Sequence, residues 1–370
     1  MNIAIIGVGL IGGSIGLAAH ERLDGAFVRG FDPSDAALDA ALERGAIDER
    51  SASAASAVAG AELCFVCCPV GALGEAVLEA LSAGGDCAVS DVGSTKHAVL
   101  ESVAAAALPE ADGSRFIGGH PLSGAEASGV AHARANLFEG ATWYLTPTDR
   151  TSGIHYDRLY RAISALGARA AAVPADAHDR LMATVSHLPH VLANLLVHQA
   201  AGTLLEEDQA LPATGPSFRD ATRVAGTNPT LWRDILLTNR EAIEAELGAY
   251  ADALDRVRST LRESDGDELV HWIEQARGDR QRLLELDLAG GPVSELRLSV
   301  PNKPGIVAQV ALALGEAGVN IVDMALYPAP DMQSGAIALW VTGEHGAERA
   351  VELVERLGYP AAVVDAGDET

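Results

Sequence analysis

Residues 3–16 read Ile3-Ala4-Ile5-Ile6-Gly7-Val8-Gly9-Leu10-Ile11-Gly12-Gly13-Ser14-Ile15-Gly16, and a second apolar run, Phe27 to Phe31, closes on Asp32. A short apolar strand running into spaced glycines and then a helix start is the pattern of a pyrophosphate cradle. Gly7 permits a tight turn, Gly9 lets the backbone approach phosphate oxygens, and Gly12 lets helix and strand pack closely. The helix start at Leu10 and Ile11 supplies free N–H groups and a partial positive charge. Asp32 falls 20 residues after Gly12, where a carboxylate accepts hydrogen bonds from adenosine ribose hydroxyls and repels a 2′-phosphate. The stretch therefore predicts an NAD site formed by Gly7, Gly9, Leu10, Ile11, Gly12 and Asp32.

The chain has 370 residues, 48% of them apolar, enough for two or three domains with real cores. No run approaches the length of an apolar membrane span, and Met1 is followed at once by the first strand, so a cytoplasmic protein without a signal peptide is expected. With 26 basic against 51 acidic side chains the net charge is −25, which argues against nucleic acid or an anionic membrane as partner. Only Lys96 and Lys303 are lysines, so the placement of each cation carries information about an anionic substrate. Cys64 and Cys67 have redox-like spacing but sit in the apolar run Leu63-Cys64-Phe65-Val66-Cys67-Cys68. They read, with Cys87, as small core residues, and no metal site is expected.

From Asp32 onward, apolar runs at 63–68, 88–92, 116–119, 142–145 and 168–173 alternate with helical patterns at 34–44, 51–59, 73–81 and 95–107. This predicts a doubly wound α/β domain with a parallel sheet over residues 1–174. Residues 175–290 carry long 3.6-periodic segments (178–206, 218–223 and 229–288), which predict an all-helical domain. Gly290-Gly291-Pro292 reads as a linker. Residues 294–370 follow a βαββαβ order expected of a ferredoxin-like α+β domain.

Four clusters carry possible chemistry. Asp91-Val92-Gly93-Ser94-Thr95-Lys96 follows a predicted strand, so Ser94 and Lys96 fall at the carboxyl edge where open sheets bind ligands; Ser94 also reads as a helix N-cap. Gly118-Gly119-His120-Pro121-Leu122-Ser123-Gly124 places a histidine at the end of the next strand, between glycines that would let a substrate approach and able to take up a proton near neutrality. In Ser186-His187-Leu188-Pro189-His190 two histidines share a helix face; ligand contact and, for His187, core packing both remain open. Phe218-Arg219-Asp220-Ala221-Thr222-Arg223-Val224-Ala225 and Leu231-Trp232-Arg233-Asp234 cluster guanidinium groups. Some of these pair with Asp220 and Asp234, and one could grip a carboxylate through two parallel hydrogen bonds.

Taken in order, GVGLIGGSIG, DVGSTK, GGHPLSG, SHLPH and FRDATRVA…LWRD resemble the prephenate/arogenate dehydrogenase family of tyrosine biosynthesis over residues 1 to about 288. Leu296 to Gly305 and Gly318-Val319-Asn320-Ile321 resemble an ACT domain, a module that binds amino acids. The resemblance implies NAD-dependent oxidative decarboxylation of prephenate to 4-hydroxyphenylpyruvate, with arogenate as the alternative substrate. It implies that His120 hydrogen-bonds the substrate's ring hydroxyl, that Ser94 orients His120, and that Arg223 binds a substrate carboxylate. His190 would line the substrate pocket and Lys96 would lie near the substrate. A tyrosine effector at the ACT-like domain is implied as well. The long apolar faces of the helical domain predict a homodimer.

Two other readings compete. β-Hydroxyacid and 6-phosphogluconate-type dehydrogenases also follow a Rossmann domain with helices, but they place a catalytic lysine there, and no lysine occurs between Lys96 and Lys303. A non-catalytic dinucleotide and amino-acid sensor would use the first and last domains and leave His120, Ser94 and Arg223 without a purpose.

Overall fold

The computed structural model describes residues 1–83, 85–106, 108–123, 128–205, 215–287, 293–301, 321–329, 334–342 and 346–364, together with 306, 309, 310, 313, 314, 317 and 319. It divides into two units, Met1–Ala251 and Asp252–Thr370.

The first unit is built on an eight-stranded sheet in the order β3-β2-β1-β4-β5-β6-β7-β8. Its strands are β1 (Asn2–Ile6), β2 (Phe27–Phe31), β3 (Glu49–Arg50), β4 (Leu63–Val66), β5 (Ala88–Asp91), β6 (Phe116–Pro121), β7 (Thr142–Thr146) and β8 (Arg169–Ala172). The apolar runs are continuous because both faces of the sheet are covered. Ile3, Ile5, Leu63 and Phe65 join one buried cluster, while Ala4, Ile6, Cys64 and Val66 join the other. From β3 to β6 every pairing is parallel, as expected of a doubly wound sheet. β7 runs antiparallel to β6, and β8 then pairs parallel with β7. The pattern of apolar residues marks a strand without giving its direction, so this reversal has no signal in the sequence.

Past β8 the expected helices form, with breaks that the periodicity does not show. Ala175–Met182 continues through a π-helical turn, Ala183–His187, into Leu188–Leu205. The segment expected as one helical stretch from Pro229 is cut at Asn239 into Pro229–Thr238 and Arg240–Glu263. It is cut again before Gly266–Asp287, where Ser264 takes a left-handed φ of 56°. No helix among the described residues is long and apolar enough to cross a membrane. The Gly290-Gly291-Pro292 linker lies outside the described residues.

Within the second unit, β9 (Val293–Pro301), β10 (Ile321–Pro328), β11 (Ser334–Thr342) and β12 (Ala361–Val363) form an antiparallel sheet in the order β10-β11-β9-β12. Helix Gly346–Arg356 packs Ala350 and Val354 against Leu296, Leu298, Ile337 and Leu339. The helix expected over 305–317 falls largely on undescribed residues; Ile306, Gln309, Val310, Ala313 and Leu314 are helical. This strand order is the ferredoxin-like arrangement that the βαββαβ pattern predicts.

Candidate active site

Because β1, β4, β5 and β6 are mutually parallel, their carboxyl ends meet at one edge, and the glycine turn, Ser94 and His120 are carried there. At the end of β1, Gly7 takes φ 94°, and a Cβ on it would lie 2.7 Å from the Cys67 carbonyl oxygen. A Cβ on Gly12 would lie 2.1 Å from the Gly7 carbonyl oxygen, so this glycine is what lets helix Leu10–Arg22 sit against the turn. Gly9, at the helix N-cap, has nothing within 4 Å of its Cβ position, and no side chain caps the helix. Its first N–H groups therefore face open space beside half-buried Leu10 and Ile11. Asp32, just past β2, accepts from the Val8 N–H at 3.1 Å and the Ser34 N–H at 2.9 Å. Both carboxylate oxygens keep a free lone pair. An open helix start with a carboxylate held one strand away fits a dinucleotide.

Next to the cradle, Lys96 and Asp91 form a fully buried ion pair. Asp91 accepts from the N–H groups of Gly93 (2.9 Å) and Gly119 (3.1 Å), and the Lys96 ammonium donates to the Gly119 carbonyl at 2.8 Å. Burial pushes the Lys96 amine down, and the Asp91 carboxylate opposes this. The ammonium is turned inward, where it clamps the loop after β5 to β6. The glycines of Gly118-Gly119-His120 serve the same clamp. A Cβ at Gly118 would meet Thr146 Oγ1 at 2.3 Å, and one at Gly119 would meet Ser90 Oγ and the Asp91 carbonyl at 2.6 Å. The expectation that these glycines make room for a substrate is therefore corrected: their space is filled by neighbouring strands.

Ser94 is not the N-cap of the following helix, His97–Ala105; Lys96 is, without a side-chain cap. The orphan N–H groups of Lys96 and His97 instead donate to the two carboxylate oxygens of Asp179, each at 2.8 Å. This cap comes from more than 80 residues away. Among the described residues the buried Ser94 hydroxyl has no hydrogen-bond partner, which leaves it free for a ligand at the edge.

His120 lies within β6 opposite Tyr144 of β7. Its Nδ1 is 2.9 Å from His178 Nε2, and His178 Nδ1 is 2.8 Å from Asp179 Oδ1. Burial, together with the charges of His178, Lys96 and His187, pushes His120 well below the ordinary histidine range, so it stands neutral. Sequence reasoning misses His178 and Asp179 as functional residues. The one signal is the His-Asp pair at the start of a helix, and nothing in its spacing connects it to residue 120.

The π-helical turn carries the main chain on to His187 and His190. His187 is buried, its Nδ1 is 3.1 Å from the Asn239 amide nitrogen, and burial lowers its pKa to about 4. That is the core-packed alternative. His190 stacks flat on Trp232 at 3.4 Å, its Nε2 faces Thr227 Oγ1 at 3.4 Å, and its buried Nδ1 has no partner among the described residues. Arg223 follows helix Pro216–Thr222, which packs on the helix bearing His190, and its side chain is exposed. Arg233 pairs with Asp234 at 2.6 Å, as expected of some arginines in this cluster. All four cysteines are free thiols, and burial raises Cys68 to about 11 and Cys87 to about 12, so both are inert near neutrality.

Family models match three consecutive segments: the nucleotide-binding domain of prephenate dehydrogenase over residues 15–172, its dimerization domain over 174–275, and the ACT domain over 294–358. A prephenate dehydrogenase of Bacillus subtilis is 31% identical over 360 residues, covering 96% of this chain and 95% of that one. The chain belongs to the prephenate dehydrogenase family. A cyclohexadienyl dehydrogenase of Zymomonas mobilis is 32% identical over 286 residues, covering 76% of this chain and 96% of the relative. Among solved structures of the family, prephenate dehydrogenase of Aquifex aeolicus in complex with hydroxyphenyl propionate and NAD+ superposes with a TM-score of 0.69 at 28% identity. It covers 76% of this chain and 98% of that one. Synechocystis arogenate dehydrogenase gives a TM-score of 0.66 at 29% identity, covering 76% of this chain and all of the relative.

Proposed function

We propose that this protein is an NAD-dependent prephenate dehydrogenase, which converts prephenate to 4-hydroxyphenylpyruvate and carbon dioxide in tyrosine biosynthesis. The observation that carries this reading is the meeting, at one sheet edge, of the open glycine turn and a neutral, half-buried His120. Gly7, Gly9, Leu10, Ile11 and Gly12 would hold the pyrophosphate of NAD and Asp32 its adenosine ribose, and the cofactor would supply the hydride acceptor for the ring carbinol carbon.

His120 takes up the proton of the ring hydroxyl as carbonyl character develops at that carbon. The electrons of the breaking carbon–carboxylate bond then aromatise the ring, and His120 returns the proton to the phenolic oxygen. Ser94, with its unpaired hydroxyl, orients the reacting groups at the same edge. Arg223 binds a substrate carboxylate and His190 lines the pocket, stacked in place by Trp232. Lys96 acts one step back, by holding through Asp91 and Gly119 the strand that bears His120.

Further parts of the reading follow from the other segments. The helical segment 175–290 forms a homodimer, supported by the dimerization-domain match and by exposed Leu195, Leu196, Val197, Leu254 and Leu261. The domain at 294–370 binds tyrosine as a feedback effector, supported by the ACT match and its sheet order. A cytoplasmic location agrees with four unpaired thiols.

The test is NADH formation by the purified protein with prephenate or arogenate, each with and without tyrosine. Turnover of prephenate, slowed by tyrosine, is expected. Turnover of arogenate alone would move the assignment to arogenate dehydrogenase, and no turnover of either would overturn the enzyme reading in favour of a sensor.

A further inference from the structure

Two imidazoles that share one hydrogen bond must divide the roles, one ring donating its proton and the other offering a lone pair. At the contact between His120 Nδ1 and His178 Nε2 the division is set from the far side. Burial pushes the Asp179 carboxyl up, but hydrogen bonds from His178 and from the N–H groups of His97 and Lys96 outweigh it and hold the group below its ordinary range. An ionised carboxylate only accepts, so the proton between His178 Nδ1 and Asp179 Oδ1 sits on the histidine. When both rings are neutral, His178 Nε2 is bare and His120 Nδ1 carries the shared proton. His120 Nε2 is then left as the open lone pair.

We propose that His178 and Asp179 are the positioning pair of this active site: they fix His120 as the Nδ1–H tautomer and take over its charge when it is protonated. The proposal rests on the reading of His120 as the proton acceptor. A proton arriving on His120 Nε2 from the ring hydroxyl lets the Nδ1 proton move to His178 Nε2. The positive charge then sits on the ring that touches the Asp179 carboxylate, and His120 is neutral again. Reversal of the two transfers returns the proton to the phenolic oxygen, so no proton is gained or lost by the pair. The other groups facing these rings make His120 the poorer place for charge. Lys96 approaches from the loop after β5 and His187 from the π-helical turn, and both disfavour a cation on His120. Tyr144 of β7 meets His178 edge-on at 5.6 Å. The carboxylate of Asp179 bonds to His178, and no hydrogen bond joins it to His120. Asp179 is itself anchored by the start of helix His97–Ala105, so the chain of three residues is tied to the sheet edge.

The experiment is nitrogen NMR of the full-length protein with 15N-labelled histidine, without substrate, at pH 8. The His120 signals are assigned by their loss in His120→Asn. The expected result is a protonated Nδ1 and a bare Nε2 on His120. In His178→Gln the amide oxygen still accepts from His120 Nδ1–H but cannot take a proton. This variant should keep the tautomer and NAD affinity while kcat falls by about tenfold or more. His178→Phe should lose the tautomer preference as well. A wild-type His120 protonated on Nε2, or a His178→Gln enzyme with wild-type kcat, would overturn the proposal. The tautomer is read without substrate, so it is decided even if prephenate proves not to be the substrate.

Discussion

The glycine cradle and the His120 site lie at the same edge of one sheet, yet they are assembled in opposite ways. The cradle is made of backbone: a left-handed Gly7, a helix start left uncapped at Gly9, and a Gly12 with no space for a Cβ, all within six residues. The His120 site is made of side chains from the loop after β5, from β6, from helix Ala175–Met182, and from Asn239 behind His187. A backbone device works wherever its own residues are right. A side-chain device depends on every segment that supports it, so damage far along the chain should reach it while leaving the cradle intact.

The strongest way to separate the two is to break the buried clamp. Asp91→Asn leaves the Lys96 ammonium buried without its counter-charge, and a loss of about 3–5 kcal/mol in unfolding stability is expected from urea titration. Removing both charges, as Asp91→Asn with Lys96→Met, should cost clearly less than Asp91→Asn alone. Equal or greater loss in the double variant would mean that the pair is not a coupled clamp.

The histidines give a second contrast, in pH. An unfolded histidine titrates near 6.5, while burial holds His187 at about 4. Between these values the unfolded chain binds the extra proton and the folded chain does not. His187 thus contributes stability above pH 6.5 that is lost as pH falls toward 4, on the order of 3 kcal/mol if the whole shift is realised. His120, also held low, acts in the same direction. Urea midpoints should fall over this window, less steeply in His187→Gln; an unchanged slope in the variant would contradict the burial argument.

The smallest expected effect is on the cradle itself. Gly12→Ala forces helix Leu10–Arg22 away from the Gly7 carbonyl, and overpacking of this kind costs about 1–3 kcal/mol. Calorimetry should show NAD binding weakened by roughly tenfold or more, with the His120–His178 NMR signals unmoved. Loss of those signals would show that the two devices are not separable.

The same contrast divides what is legible in the amino-acid sequence from what is not. Gly7 to Gly12 and Asp32 are legible because each meets a local backbone demand at fixed spacing. β1 and β4 are legible as short continuous apolar runs, and the strand order of the last domain follows from its βαββαβ pattern. Placement at predicted strand ends singles out His120 and Ser94, and resemblance to the family supplies the roles expected of them. The partners of His120 are not legible, because His178 and Asp179 come together with it only through tertiary packing. The burial of Lys96 is not legible either, because a lysine after a strand is usually exposed, and it is Asp91, five residues earlier, together with the Gly119 carbonyl that makes its burial tolerable. Gly118 and Gly119 read as substrate access because the sequence does not reveal that Thr146, Ser90 and the Asp91 backbone fill the space beside them.

The most direct test of the central claim is to measure, side by side, NAD binding and prephenate turnover in the wild-type protein and in His120→Asn. If the cradle binds the cofactor and His120 handles the proton, NAD affinity stays at the wild-type value while kcat falls by about a hundredfold or more. A kcat within severalfold of wild type would contradict the account and remove His120 from the chemistry.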